Sequence, residues 1–163
     1  MDNEEEGFAL WESRAILKYL VDKVSPGHTL YPSDLKTRAT IDRWLYFDIG
    51  TLYPAMAAIL YPVLIGGQPL DESKVPALKE KLKLLDEALE GKKYVVTESR
   101  TIADLALLVT VTTLEILEEL DVSEFSNIQK WAEGLKEELS YYAEVNQSGL
   151  DDLKAWIANK KAE

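Results

Sequence analysis

Thr101-Ile102-Ala103-Asp104-Leu105-Ala106-Leu107-Leu108-Val109-Thr110-Val111-Thr112-Thr113-Leu114-Glu115-Ile116-Leu117 is the run from which the architecture can be read. It opens with a threonine followed three residues later by an aspartate, a variant of the capping box. The Thr101 hydroxyl can accept from the backbone N–H three residues on, while the Asp104 carboxylate reaches back. From Leu105 to about Leu117 the run is apolar on nearly every side, so the helix it predicts is buried and central. Thr101 and Asp104 explain a helix start and no chemistry, and both are assigned to structure.

Working outward, apolar residues keep helical spacing in both directions. Toward the C-terminus, Ile128, Trp131, Leu135 and Leu139 stripe one helix, and Leu150, Leu153, Trp156 and Ile157 another. Toward the N-terminus, Tyr94-Val95-Val96 is a connector too short to define a sheet. Before it, Leu78, Leu82, Leu85 and Leu89 mark a helix that stops at Gly91. Pro76 suits its first turn, which puts the start near Asp71–Val75. A long helical stretch of about 34–61 carries Ile41, Trp44, Leu45, Asp48, Ile49, Leu52 and Tyr53. Pro54 opposes the carbonyl of Gly50 and predicts a kink; Pro62 and Gly66-Gly67 are expected to end the element. A first helix of about 12–24 presents Ile16, Leu17, Leu20, Val21 and Val24 on one stripe. No alternating pattern, repeat or low-complexity linker interrupts this series, and the fold class is all-α.

With 163 residues the chain can bury one sizeable core and is short for two domains. Its formal net charge of −11 opposes phosphate backbones and anionic membrane surfaces, so nucleic acid is not an expected partner. It contains no cysteine, which removes disulfides and thiolate ligands and fits a reducing compartment. The one histidine, His28, lies in the turn cluster Ser25-Pro26-Gly27-His28-Thr29 and reads as an exposed loop residue. A lone histidine cannot assemble the usual histidine-rich zinc site, so no metal is expected. The acidic start, Met1-Asp2-Asn3-Glu4-Glu5-Glu6, has neither part of a signal peptide. The most apolar run, Leu105 to Val111, is far below the ~20 apolar residues of a membrane span. A cytoplasmic protein without a membrane partner is expected.

Several ordered segments resemble the insect-type (delta/epsilon) glutathione transferases. They are Phe8-Ala9-Leu10-Trp11-Glu12-Ser13-Arg14-Ala15-Ile16, Leu30-Tyr31-Pro32, and Leu45-Tyr46-Phe47-Asp48-Ile49-Gly50-Thr51-Leu52-Tyr53. Tyr61-Pro62-Val63-Leu64, Thr101-Ile102-Ala103-Asp104-Leu105-Ala106-Leu107 and Asn127-Ile128-Gln129-Lys130-Trp131 follow. The resemblance runs from about Phe8 to the C-terminus. It implies a helical bundle that packs against a thioredoxin-like domain, with that domain almost entirely absent from this chain. On this reading residues 1–25 are a remnant of the thioredoxin-like domain, its last helix, and residues 26–163 are the C-terminal helical domain.

The family function implied is conjugation of glutathione, as co-substrate, to small hydrophobic electrophiles for detoxification. Glutathione has a zwitterionic γ-glutamyl end; Glu12 can accept from its ammonium, and Ser13 with helix N-terminal N–H groups can donate to its carboxylate. The same residues would also serve merely to cap and charge-balance the helix. Arg14 and Asp48 fall at family positions behind the glutamyl pocket, and equally suit a structural ion pair at a helix crossing. Tyr53, Met56, Tyr61, Leu64 and Ile65 fall where the family lines its hydrophobic-substrate pocket, or form ordinary helix–helix core. Pro54 departs from the family pattern in that wall.

In serine-type classes the donor that lowers the thiol pKa belongs to the thioredoxin-like domain, and no residue here matches it. No catalytic residue is assigned, no further cofactor is implied, and the isolated chain is expected to be inactive. Two other roles suit the same bundle: a non-catalytic module that docks proteins, and a carrier of apolar ligands. A bundle face uncovered by the missing domain would favour a homodimer or a partner protein.

Overall fold

A computed structural model describes residues 7–117 and 119–161, so the acidic start at 1–6 lies outside the described residues. Among the described residues seven α-helices carry the fold: α1 Ser13–Val24, α2 Leu35–Phe47, α3 Tyr53–Leu64, α4 Val75–Leu89, α5 Ile102–Thr113, α6 Ser126–Glu138 and α7 Ser148–Lys161. No strand occurs among the described residues, as the uninterrupted helical periodicity requires.

The central helix is α5. Ala103, Asp104, Leu107 and Thr112 are wholly or almost wholly excluded from solvent, while Val109 is 51% exposed and opens one side. The helix begins one turn before Leu105 and gives way to a tighter 3₁₀ turn, Leu114–Ile116, short of Leu117. Helices α1, α2 and α6 pack directly against it, and α4 packs on α3 and α6. One continuous apolar cluster joins all these elements, with Ile41, Leu52, Ile59, Leu78, Leu85, Leu107 and Leu135 at its centre. Burying one such leucine is worth about 1.5–3 kcal/mol, so each stripe holds its helix in place.

The long 34–61 stretch is three elements. Around Asp48–Leu52 the chain widens into a π turn, with the Tyr53 N–H bonded to the Asp48 carbonyl five residues back. Pro54 then starts α3 in its first turn. The expected kink is thus absorbed by a wider turn placed where proline has removed the Gly50 partner. Pro62, contrary to expectation, does not end the helix. The carbonyl it leaves free, Ala58, accepts from Lys74 Nζ at 3.2 Å, and α3 continues to Leu64. The ending falls at Gly66-Gly67, where a Cβ on Gly66 would sit 2.7 Å from the Pro62 oxygen and Gly67 takes φ +61.

Two stripes are less buried than their periodicity suggests. Trp156 is 40% exposed although Leu150 and Ile157 are core. On α1 no residue is buried: Leu17 and Val21 lean against the cluster, whereas Leu20 and Val24 face outward. The helical run Leu35–Leu64 is long and apolar enough to cross a membrane by length and composition. Its Leu52, Met56, Ile59, Leu60 and Val63 belong to the bundle core, which accounts for that apolarity.

Candidate functional site

At the N-terminus of α1, Glu12 holds φ +74, the one non-glycine residue with positive φ among those described. Such a backbone costs energy that its surroundings must supply. Its side chain makes no capping bond, and the first turn of α1 contains no acidic residue. No carboxylate within the first turn or capping bond from Glu12 occupies the helix start, whose N–H groups are of the kind that attract an anion. Ser13 does not cap either: its hydroxyl oxygen accepts from Arg14 Nη1 at 2.7 Å.

Arg14 links this surface to the bundle. Its Nε donates to Asp48 Oδ2 at 2.9 Å, and Nη2 donates to the same oxygen. The other carboxylate oxygen, Oδ1, accepts from Thr110 Oγ1 at 2.7 Å. Asp48 is wholly buried, and that burial pushes its carboxyl above the ordinary value, against the downward pull of Thr110 and Arg14. The π turn that begins at Asp48 brings it under α1, and the buried face of α5 supplies Thr110. Four residues from three elements thus form one chain of donors: Thr110 and Arg14 to Asp48, and Arg14 to Ser13.

The aromatic residues join the same network. The Arg14 guanidinium carbon lies 5.9 Å from the centre of the Tyr53 ring. Two helical turns along α3, the Tyr61 hydroxyl is hydrogen-bonded to the Tyr53 hydroxyl. This bond, ahead of burial, raises the Tyr53 pKa. Leu64 is half-buried beyond them and Ile65 is 66% exposed, while Met56 sits in the core at 2% exposure. The expected pocket residues therefore fall into two groups, four toward the surface and Met56 toward the cluster. A hollow of about 350 Å³ adjoins Ser13 and Arg14, walled by Ile16 and Leu17 of α1 and by Leu105, Ala106 and Val109 of α5.

Thr110 was not among the residues singled out from the sequence. Its signal was present: a polar side chain within an apolar helix needs a partner. Its neighbour Thr112 meets the same need by donating to the Leu108 carbonyl and accepting from Asn146 Nδ2 at 3.1 Å. His28 is exposed, and its Nδ1 accepts from the Leu30 N–H at 3.1 Å, which makes it a turn residue.

The all-helical bundle, with its buried capping box and the aspartate under α1, has the form of a transferase C-terminal domain. The family model described as the glutathione S-transferase C-terminal domain matches residues 52–138. The chain belongs to the glutathione S-transferase family. A delta-class glutathione transferase of Nilaparvata lugens is 39% identical, with a TM-score of 0.88 over 96% of this chain and 73% of that one. A glutathione transferase of Bombyx mori is 37% identical, with a TM-score of 0.86 over 93% of this chain and 70% of that one. An epsilon-class enzyme of Musca domestica is 33% identical, with a TM-score of 0.84 over 96% of this chain and 72% of that one.

Proposed function

We propose that this chain serves the conjugation of glutathione to small hydrophobic electrophiles, as the helical half of the catalytic unit. Residues 1–25 then belong to the thioredoxin-like side and residues 26–163 form the helical domain. Glu12 takes the γ-glutamyl ammonium; Ser13 and the α1 N-terminus take the carboxylate; Arg14 and Asp48 hold that corner in place. Tyr53, Tyr61, Leu64 and Ile65 line the electrophile side, with Met56 supporting them from the core. The work is cytoplasmic detoxification, performed as a homodimer or against a partner protein.

The observation that carries this reading is the Ser13–Arg14–Asp48–Thr110 chain of hydrogen bonds at a helix start with no carboxylate in its first turn. It leaves the Ser13 hydroxyl proton available beside a helix start without a side-chain cap, the arrangement a carboxylate requires. Activation of the sulfur is a separate task. A thiolate attacks the electrophile only when a donor lowers its pKa, and this reading commits the Ser13 hydroxyl to the carboxylate end. These 163 residues alone are therefore expected to bind the γ-glutamyl end without turnover. Calorimetry with glutathione and a conjugation assay with a generic aryl halide test both halves. Turnover at the rate of full-length relatives would overturn the division of labour; absence of millimolar-range binding would remove the γ-glutamyl assignment.

A second reading, a non-catalytic docking module, is favoured by α1. That helix buries none of its residues, Trp11 and Val24 are 77% and 80% exposed, and the hollow beside it is apolar. In light scattering a strict monomer would count against a docking face and against the homodimer alike; the glutathione titration is what separates the two readings.

A further inference from the structure

Helix α3 contains two prolines, Pro54 and Pro62, and the chain accommodates them differently. Each lacks an N–H and sets its ring against the carbonyl four residues back. At Pro62 that carbonyl, Ala58, is served from outside by Lys74 Nζ, and the helix runs on unchanged. At Pro54 the backbone itself rearranges. The Tyr53 N–H passes over the Ile49 carbonyl, its partner in an ordinary α-helix, and bonds to Asp48 five residues back. The turn Asp48–Leu52 thereby takes in one residue more than α geometry allows.

That extra residue changes which side chains share a side. At about 3.6 residues per turn, residues five apart stand about 140° from one another, on different faces of an α-helix. In a π turn the same two residues come nearly into line. Arg14 reaches both of them. Its Nε donates to Asp48 Oδ2 at 2.9 Å, and its guanidinium carbon lies 5.9 Å from the centre of the Tyr53 ring. Asp48 has no freedom to drift toward this meeting, being wholly buried with Oδ1 engaged by Thr110.

We propose that Pro54 is a positioning residue for the glutathione site: it holds the wide turn, which aligns Asp48 and Tyr53 beneath Arg14 and so fixes the Ser13 hydroxyl. The inference rests on the γ-glutamyl assignment made above. Pro54 acts through Asp48 and Tyr53 rather than on glutathione itself. A residue with an N–H at position 54 can bond to the Gly50 carbonyl, let the turn close to α geometry and rotate Asp48 away from Arg14.

The test compares the 163-residue chain with Pro54→Ala and Pro54→Gln, two helix-forming replacements that both restore the N–H. The readouts are glutathione calorimetry, thermal melting and the Arg14 Nε–H resonance, which a carboxylate partner displaces downfield and which Arg14→Lys identifies by its loss. Both variants should lose the downfield displacement and bind glutathione at least fivefold more weakly, with no fall in melting temperature. An unchanged Arg14 resonance in both variants would overturn the role of Pro54, whatever the parent binds. A lowered melting temperature with that resonance intact would assign Pro54 to stability alone. Equal glutathione affinity after the displacement is lost would overturn the link to the ligand. A parent chain that shows the displaced resonance yet binds no glutathione would sink the γ-glutamyl reading instead, before any variant at position 54 is compared.

Discussion

Asp104 and Asp48 are both fully buried, and the molecule satisfies them in opposite ways. Asp104 meets only neutral donors, all inside the bundle: Val95 N–H at 2.8 Å, Thr101 N–H and hydroxyl at 2.9 Å each, and Trp131 Nε1 at 3.1 Å. It ties the 94–96 connector, the start of α5 and helix α6 into one point. Asp48 meets one neutral hydroxyl and one cation, and the cation comes from α1, a helix with no fully buried residue. The difference separates two jobs for the same side chain. A carboxylate saturated by fixed dipoles is a fold staple, whereas one that depends on a partly exposed arginine is a tether. The tether stands next to the surface where glutathione is proposed to bind.

The largest break in this comparison is Asp104→Ala. It strands two buried backbone N–H groups and an indole N–H together, and should cost about 3–5 kcal/mol in urea unfolding. A loss below 1 kcal/mol would show that water fills the site and that Asp104 is no staple. Arg14→Ala comes next, at about 2–4 kcal/mol, because it leaves Asp48 as a buried charge without its cation. Arg14 keeps 21% of its side-chain exposure, which places the loss below that of a dry pair. Hydrogen exchange should show α1 amides losing protection while α5 amides keep theirs; equal loss in both would merge the two roles.

Thr110→Val is nearly isosteric and removes one donor from Asp48. It should cost about 1–2 kcal/mol and lower glutathione affinity only where Arg14 shifts as well, which a titration on the same sample reads directly. The smallest effect is a slope. Asp48 has its folded pKa raised from the ordinary 3.8 by burial, so its neutral form is the one folding favours. The stability it contributes is fully present below the unfolded value and is lost as pH rises through the folded value. The parent should therefore lose stability relative to Asp48→Asn as pH climbs from about 4 through the acidic range. Parallel curves across that range would mean that Arg14 and Thr110 fully offset the burial.

Much of the fold was legible because burial repeats with the helical period. Leu78, Leu82, Leu85 and Leu89 read as one stripe and are one stripe, and Thr101 and Asp104 read as a capping box and form one. Pattern alone misjudged Pro62, since a proline's fate depends on whether a distant Lys74 can reach the carbonyl it frees. It also put one stripe on α1 without saying what that stripe packs against, because periodicity reports which residues share a face and is silent on what faces them. In the site, Glu12, Ser13 and Arg14 stood out as neighbours in sequence. Thr110 did not, being 62 residues from the aspartate it serves.

By itself, then, the sequence determined an all-helical bundle around a capped, largely apolar central helix, and the family whose ordered segments it carries. These are local properties of spacing and side-chain type, present before any folding. The tertiary structure decided which buried carboxylate became a staple and which a tether. That outcome rests on donors converging from separate helices, and only packing brings Arg14 and Thr110 to opposite oxygens of Asp48.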